Sequence, residues 1–397
     1  MMKLTSRLFG LFLILSLLLP ASCGARDGEE SAETERVPVT MGEEEIALPA
    51  PEEDRKTSEA DLPETVMDRC GTLFWNGREI PLFRSLGGET RFVQADAFLE
   101  AAEIEAAEEK DGLSFPLGGK TFRIDSAEGD FLVEGDRVGD AARFENRFYI
   151  PLEPVAEAAG FARLDDGETV YLTRTVRSGD VPKGVRVPVL MYHAVSDDVW
   201  GINELFVRPS EMEKQLKYLV DHGYTTVTFE DLEKIDQIKK PVMLTFDDGY
   251  RDNYEELFPL LRKYSCKATI FMIAGKLGKT HYLTEEMLRE MADSGLVSIQ
   301  SHTVSHPKLA EITGERLREE LRDSRIELAR LTGRIPFVLC YPSGSYNAET
   351  RRVGAEYYSF GIKMNGGRYN TSTDPFLIPR HYVSRATSLS AFASLIG

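Results

Sequence analysis

From residue 188 to the C-terminus, apolar runs of strand length alternate with amphipathic segments of helix length, and this alternation restricts the fold more than any other feature. The runs PVLMY, YTTVTF, PVMLTF, KATIFMI, LVSIQS, FVLCYP and the weaker YYSFGIK are separated by SEMEKQLKYLVDHG, NYEELFPLLRKYS, TEEMLREMADSG and GERLREELRDSRIELARLTG. A run that is apolar on both faces needs cover on both faces. Repeated strand-then-helix order supplies that cover as a parallel sheet wrapped by helices. The expected class is therefore α/β, either an open doubly wound sheet or a closed barrel. No Gly-rich phosphate loop follows any run, which argues against a nucleotide site. Nucleic acid is also a poor partner, because 47 Lys and Arg stand against 65 Asp and Glu, a net charge of −18, and phosphate binding needs a basic face.

Upstream the pattern changes. Over 66–175 the stretches GTLFWNGREIPLF, KTFRIDSAEGDFLVEGDRV and NRFYIPL alternate apolar and polar residues around Asn76-Gly77, Gly118-Gly119 and Glu134-Gly135, which are strand and turn signals. Two helical patches interrupt them, QADAFLEAAEI and LEPVAEAAGF, the second stopped by Gly160. A small α+β domain over 66–175 is expected, joined by a linker over 176–187 to a domain over 188–397. Residues 24–65 hold fourteen acidic and four basic side chains with almost no apolar periodicity, so they read as a disordered tether. Lys3 and Arg7 precede an apolar run over 8–19, a signal-peptide pattern too short to span a ~30 Å bilayer comfortably. Apart from Cys23, the cysteines are Cys70, Cys266 and Cys340. Their odd number and wide spacing offer no disulfide framework, and Cys266 and Cys340 read as small buried hydrophobes.

Chemistry-bearing residues collect at the C-terminal ends of the predicted strands. Leu190-Met191-Tyr192-His193 ends the first, Thr245-Phe246-Asp247-Asp248-Gly249-Tyr250 the third, Ser301-His302-Thr303-Val304-Ser305-His306 the fifth and Tyr341-Pro342-Ser343-Gly344 the sixth. Taken singly each has an ordinary explanation: Asp-Asp-Gly is usually a turn, a His-x-x-x-His pair is often core or surface, and His193 alone is a strand-end histidine. Together they place three of six histidines and a carboxylate pair at one end of one sheet, where the loops of a β/α barrel converge.

TFDDGY, SHTVSH and YPSG in this order resemble the motifs of the polysaccharide deacetylase family, carbohydrate esterase family 4 with its NodB homology domain. The resemblance implies a distorted (β/α)7 barrel, a divalent metal and hydrolysis of N-acetyl groups on amino-sugar polymers. It casts Asp247 as the general base and Asp248, His302 and His306 as metal ligands, with zinc the first choice and cobalt, nickel or manganese also suited. The family's Leu-x-x-His pattern stands here at Leu190 to His193, ahead of the Asp pair. That order resembles a permuted branch containing exported poly-N-acetylglucosamine deacetylases, and it casts His193 as general acid with His381, in Ile378-Pro379-Arg380-His381, as runner-up. The third motif departs from the pattern: Ser343 replaces the usual aromatic and the usual Arg is missing, so Arg380 is expected to hold Asp247 ionised. The Tyr341 backbone N–H is the expected oxyanion donor. Trp200 and Tyr250 are candidates to stack on a sugar ring.

The stretch RFYIPLEPVAEAAGFARLDDGETVYL resembles the N-terminal-like domain of copper amine oxidases. No histidine falls within 66–175, so a scaffold, spacer or wall-associating role is expected rather than copper chemistry. Leu19-Pro20-Ala21-Ser22-Cys23 resembles a lipobox, which implies a lipid anchor at Cys23 on the outer face of a bacterial cytoplasmic membrane or in the cell wall, or secretion without one. Membrane contact is expected only through that anchor. Rival readings are a non-haem iron oxygenase, which also uses two His and one carboxylate, an amidase of this fold acting on a non-sugar substrate, and an inactive wall-binding module.

Overall fold

The computed structural model describes residues 65–364 and 366–397. The apolar leader, Cys23 and the acidic stretch up to residue 64 lie outside the described residues. The N-terminal region carries two sheets and two short helices. Its larger sheet has seven strands in the order Ala162–Asp166, Thr169–Thr173, Met67–Trp75, Arg78–Ser85, Arg91–Gln94, Arg147–Pro151 and Ala142–Phe144. A five-stranded antiparallel meander spans 107–140. The Asn76-Gly77 turn has positive φ at both residues, 48° and 90°, the hairpin geometry whose twist matches its strands. The inward residues of both sheets, among them Leu73, Trp75, Phe115, Phe122 and Leu172, bury one core with Phe98 and Val155 of the helices.

The C-terminal region is a curled sheet of parallel strands. We label these β1 (Val189–Tyr192), β2 (Thr225–Val227), β3 (Pro241–Asp248), β4 (Ala268–Met272), β5 (Val297–Ser301), β6 (Val338–Cys340), β7 (Phe360–Ile362) and β8 (His381–Tyr382). Their order is β7-β6-β5-β4-β3-β1-β8, with β2 paired to the first residues of β3. Every pairing is parallel. The sheet curls because one short segment touches both of its edges: Ile378 bridges Ile362 of β7, while His381 pairs with Leu190 of β1. The result is a distorted (β/α) barrel.

Period-two alternation along the strands sorts their side chains into two cores. Leu190, Leu244, Phe246 and Ile270 point outward to the helices α1 (Pro209–Asp221), α2 (Phe258–Tyr264) and α3 (Glu285–Asp293). Val189, Met243, Phe271, Val338 and Cys340 point inward. Both sets are fully or almost fully buried, and each large aliphatic or aromatic side chain contributes about 1.5–3 kcal/mol on burial. That two-sided burial explains why the strands read as unbroken apolar runs. α4 (Gly314–Thr332) and α5 (Ala348–Gly354) complete the wrapping beside β5 to β7.

The N-terminal region meets the barrel at the C-terminal end of α4. Arg330 pairs with Asp166 at 2.6 and 2.9 Å, Arg174 with Glu233 at 2.7 Å, and the Ile335 N–H donates to Thr173 Oγ1 at 2.9 Å. This seam precedes β6, so it lies at the opposite end of the strands from their C-terminal loops.

Candidate active site

Asp247 and Asp248 end β3. Asp247 continues the inward register of Met243 and Thr245, and regular alternation would send Asp248 outward. Asp248 instead takes φ +77°, which breaks the alternation and lets neighbouring carboxylates serve one site. Gly249 follows with φ +77°, a left-handed conformation that favours glycine.

His302 and His306 come from the turn after β5. The His302 Nδ1–H donates to the Cys340 carbonyl at 2.8 Å, which leaves Nε2 aimed at Asp248 Oδ1, 3.6 Å away. His306 Nε2 is 3.7 Å from the same oxygen. The intervening residues form an irregular turn, since Thr303 and His306 adopt φ of +67° and +62°. Glu320 of α4 holds this turn: one carboxylate oxygen accepts the Val304 and Ser305 N–H groups, both at 2.9 Å, and the other accepts the Ser305 hydroxyl. Asp248, Thr303, His306 and Ser343 are all non-glycine residues in left-handed conformations. Each such residue costs on the order of 1–3 kcal/mol, and clusters of them mark functional sites.

Arg380 lies in the segment that closes the barrel, where Ile378 and Arg380 are buried and Pro379 and His381 less so. Its guanidinium grips Asp247 with two parallel bonds of 2.6 and 2.7 Å, and it donates to Thr245 Oγ1 at 3.1 Å. Burial alone would push the Asp247 carboxyl up; the Arg380 charge and hydrogen bonds reverse this and hold it well below the usual carboxylate range. Cys340 packs against the pair, with Sγ 3.7 Å from both Asp247 oxygens and 3.2 Å from Arg380 Nη2. Burial pushes its thiol well up, so it meets the carboxylate as an S–H donor. His193 Nε2 stands 4.0 Å from Asp247 Oδ2. Burial pushes the His193 imidazole down, against the opposing pull of Asp247 and Asp248.

Two donor sets of cation-binding type overlap here: Asp248, His302 and His306, and Asp247, His302 and Cys340, each with its donor atoms within 4.8 Å of one another. The second already faces the Arg380 guanidinium at hydrogen-bond distance, and a second cation there would meet direct repulsion. Among the described residues no Lys or Arg side chain pairs with the first set. Two imidazoles and a carboxylate with open positions fit a catalytic divalent ion.

The structure thus brings together Asp247, Asp248, His193, His302, His306 and Arg380. It does not bring in His381, which alternation turns to the face opposite Arg380. The Tyr341 expectation needs correction: its N–H donates to the Ile362 carbonyl at 3.0 Å, so the β6–β7 pairing uses the group expected to serve an oxyanion. Tyr250 is also not an open stacking platform, being buried between Trp200 and Tyr282. Trp200 is 37% exposed, and His281 is stacked on its ring at 4.3 Å. Sequence reasoning missed Cys340 as a neighbour of Asp247 and Glu320 as the brace of the histidine turn. Neither carries a local signal, since both act through contacts made only in the folded barrel.

Fold and site together define a metal-dependent hydrolase of C–N amide bonds. The polysaccharide deacetylase family pattern matches residues 234–359, a span holding Asp247, Asp248, His302 and His306. YxkH of Bacillus subtilis is 38% identical over 220 residues, 54% of this chain and 77% of that protein. The chain belongs to the polysaccharide deacetylase family, carbohydrate esterase family 4. It is also 24% identical over 204 residues to the poly-beta-1,6-N-acetyl-D-glucosamine N-deacetylase of Staphylococcus aureus, covering 46% of this chain and 69% of that one. Among solved structures, the Streptococcus pyogenes deacetylase PplD, in complex with acetate, superposes with a TM-score of 0.51 at 29% identity, covering 54% of this chain and 99% of PplD. BA0330 of Bacillus anthracis gives 0.52 at 25% identity and covers 79% of this chain and 86% of its own. That share is more than the residues from 188 onward supply, so the likeness reaches into the N-terminal region.

Proposed function

We propose that the protein is an exported deacetylase of an amino-sugar polymer, with poly-N-acetylglucosamine the leading substrate and peptidoglycan the second. The observation that carries this reading is Asp247, gripped by the Arg380 guanidinium and 4.0 Å from His193, beside the Asp248, His302 and His306 donor set. A divalent cation on that set, zinc first and cobalt, nickel or manganese also suited, supplies Lewis acidity that polarises the acetyl carbonyl and acidifies the attacking water.

Asp247 takes one proton from that water as its oxygen adds to the acetyl carbon. A carboxylate held so low is a weak base by itself, so the contribution of Arg380 is a base that is always ionised and always aimed. His193 donates a proton to the amide nitrogen as the C–N bond breaks, because an amide nitrogen is too poor a leaving group to depart as an anion. The products are acetate and a free amine. The order of motifs, with Leu-x-x-His first, and the name of the Staphylococcus aureus relative both support poly-N-acetylglucosamine. Trp200 offers its remaining exposed surface at the rim for a sugar ring.

The leader over 8–19 and Cys23 support placement outside the cytoplasmic membrane, lipid-anchored or secreted, with 24–65 as tether and the N-terminal region as spacer. The test is acetate release from chitooligosaccharide, poly-N-acetylglucosamine and peptidoglycan, measured side by side with and without exhaustive chelation. Fastest release from poly-N-acetylglucosamine, lost on chelation, is expected. Undiminished release after chelation overturns the metal role, and release only from small non-sugar acetamides overturns the polymer assignment.

A further inference from the structure

The segment that carries Asp247 and Asp248 also reaches across to His193. Four and five residues beyond Asp248, the chain presents Asp252 and Asn253, both buried. Asn253 Nδ2 donates to the His193 carbonyl at 2.9 Å and to Asp252 Oδ1 at 2.9 Å. Asp252 Oδ1 in turn accepts the Val195 N–H at 2.8 Å. Two consecutive side chains therefore grip the backbone on both sides of Ala194, just where β1 has ended.

The imidazole has no comparable hold of its own. His193 Nδ1 is buried without a hydrogen-bond partner among the described residues, and Tyr382 meets the ring edge-on with centroids 6.5 Å apart. A ring without a side-chain tether takes its height and direction from the backbone beneath it. The backbone at Asn253 is itself irregular, since residues Asn253–Leu257 form a π-helical turn, a rare geometry that is frequent at functional sites.

We infer that Asn253, together with Asp252, is a positioning residue for His193, setting the imidazole against Asp247 through the backbone rather than through the ring. One stretch from 247 to 253 then fixes the base, a metal ligand and the proton donor relative to one another. This inference rests on the reading of His193 as the proton donor to the leaving nitrogen.

The experiment compares Asn253→Ala, Asp252→Ala, Asp252→Asn and His193→Ala in the full chain. It measures turnover of an N-acetylglucosamine oligomer and of 4-nitrophenyl acetate, whose leaving group needs no proton. Metal content and melting temperature are recorded for each variant. Asn253→Ala should lose ~10–100-fold in kcat on the amide, a misplaced-group effect, with KM and metal content retained and the ester affected less than ~3-fold. Asp252→Ala should show the same selectivity in weaker form, and Asp252→Asn, which keeps the Oδ1 acceptor, should restore most amide turnover. Equal loss on amide and ester, or no loss on either, overturns the inference. If Asn253→Ala does not fold, Asn253→Ser and the Asp252 pair give the same discrimination. If His193→Ala itself shows no amide selectivity, the reading of His193 falls and the inference with it, a result distinct from failure of Asn253 alone.

Discussion

Asp247 and Asp248 are neighbours in sequence and face different partners, one an arginine and the other two histidines. Asp247→Asn keeps the size and removes the charge that takes the proton. Metal content should stay near one equivalent while acetate release falls ~10²-fold or more, within the range for a general base. If Asp247→Asn loses the metal and Asp248→Asn keeps it, the two roles are exchanged. The pair was legible in the sequence only in company with the histidines at the other strand ends, since Asp165-Asp166-Gly167 repeats the same tripeptide at the end of another strand. Arg380 was legible only through the gap left in the third motif, since 133 residues separate it from Asp247. Cys340 was read as a buried thiol, which it is, but burial alone does not name neighbours. Asp252 yields a second residue-scale test. Burial pushes its carboxyl up to about 6, against the Val195 and Asn253 hydrogen bonds, while an unfolded Asp titrates near ~3.9. With the folded value raised, the neutral form contributes stability that is complete below pH ~4 and lost as pH rises through ~6, a swing on the order of 2–3 kcal/mol. Asp252→Asn cannot ionise, so urea unfolding should find it more stable than the parent at pH 8 and about equal at pH 4. A constant difference across that range would show that Asp252 does not titrate as a buried, unpaired acid.

Among the elements, the strand and helix alternation was readable because two-sided burial writes itself as unbroken apolar runs. The His-x-x-x-His turn was not readable as a turn. Left-handed backbone is usually announced by glycine or asparagine, whereas here Thr303 and His306 adopt it. What holds them is α4, through the Glu320 carboxylate on two backbone N–H groups. The closure of the barrel was equally hidden, because the 378–382 segment makes only a bridge to β7 and a two-residue pairing to β1. Glu320→Ala leaves α4 its helical propensity and removes the brace. Titration with zinc should then show affinity weakened ~10–100-fold, the usual cost of losing a group that orients a metal ligand, with the melting temperature of the metal-free protein little changed. Unchanged zinc affinity would mean that the turn is held by Thr303 and its own strand ends without α4.

At the scale of the whole molecule, the two regions are joined by a contact too close for side chains. Gly333 caps α4 at φ +67°, and a Cβ there would lie 2.7 Å from a Phe74 ring carbon and 2.9 Å from the Gly77 Cα. Gly77 needs its own freedom as well, with φ +90° in the hairpin turn. Two glycines thus let a hairpin of the N-terminal region sit against the end of α4, with Tyr171, Ala329 and Ile335 buried together beside them. A module that merely trailed from the barrel would have no such requirement. The seam stands at the opposite end of the strands from Asp247 and the histidines, so disturbing it should separate stability from catalysis. Gly333→Ala combines a left-handed alanine, which costs about 1–2 kcal/mol, with a clash against Phe74. Calorimetry should show a melting temperature lowered by a few degrees, or the unfolding peak broadened as the regions uncouple. Turnover of 4-nitrophenyl acetate and zinc content, measured at 25 °C, should match the parent. A loss of turnover at unchanged melting temperature would show instead that the N-terminal region reaches the catalytic end of the barrel through its effect on α4 and the histidine turn that α4 braces.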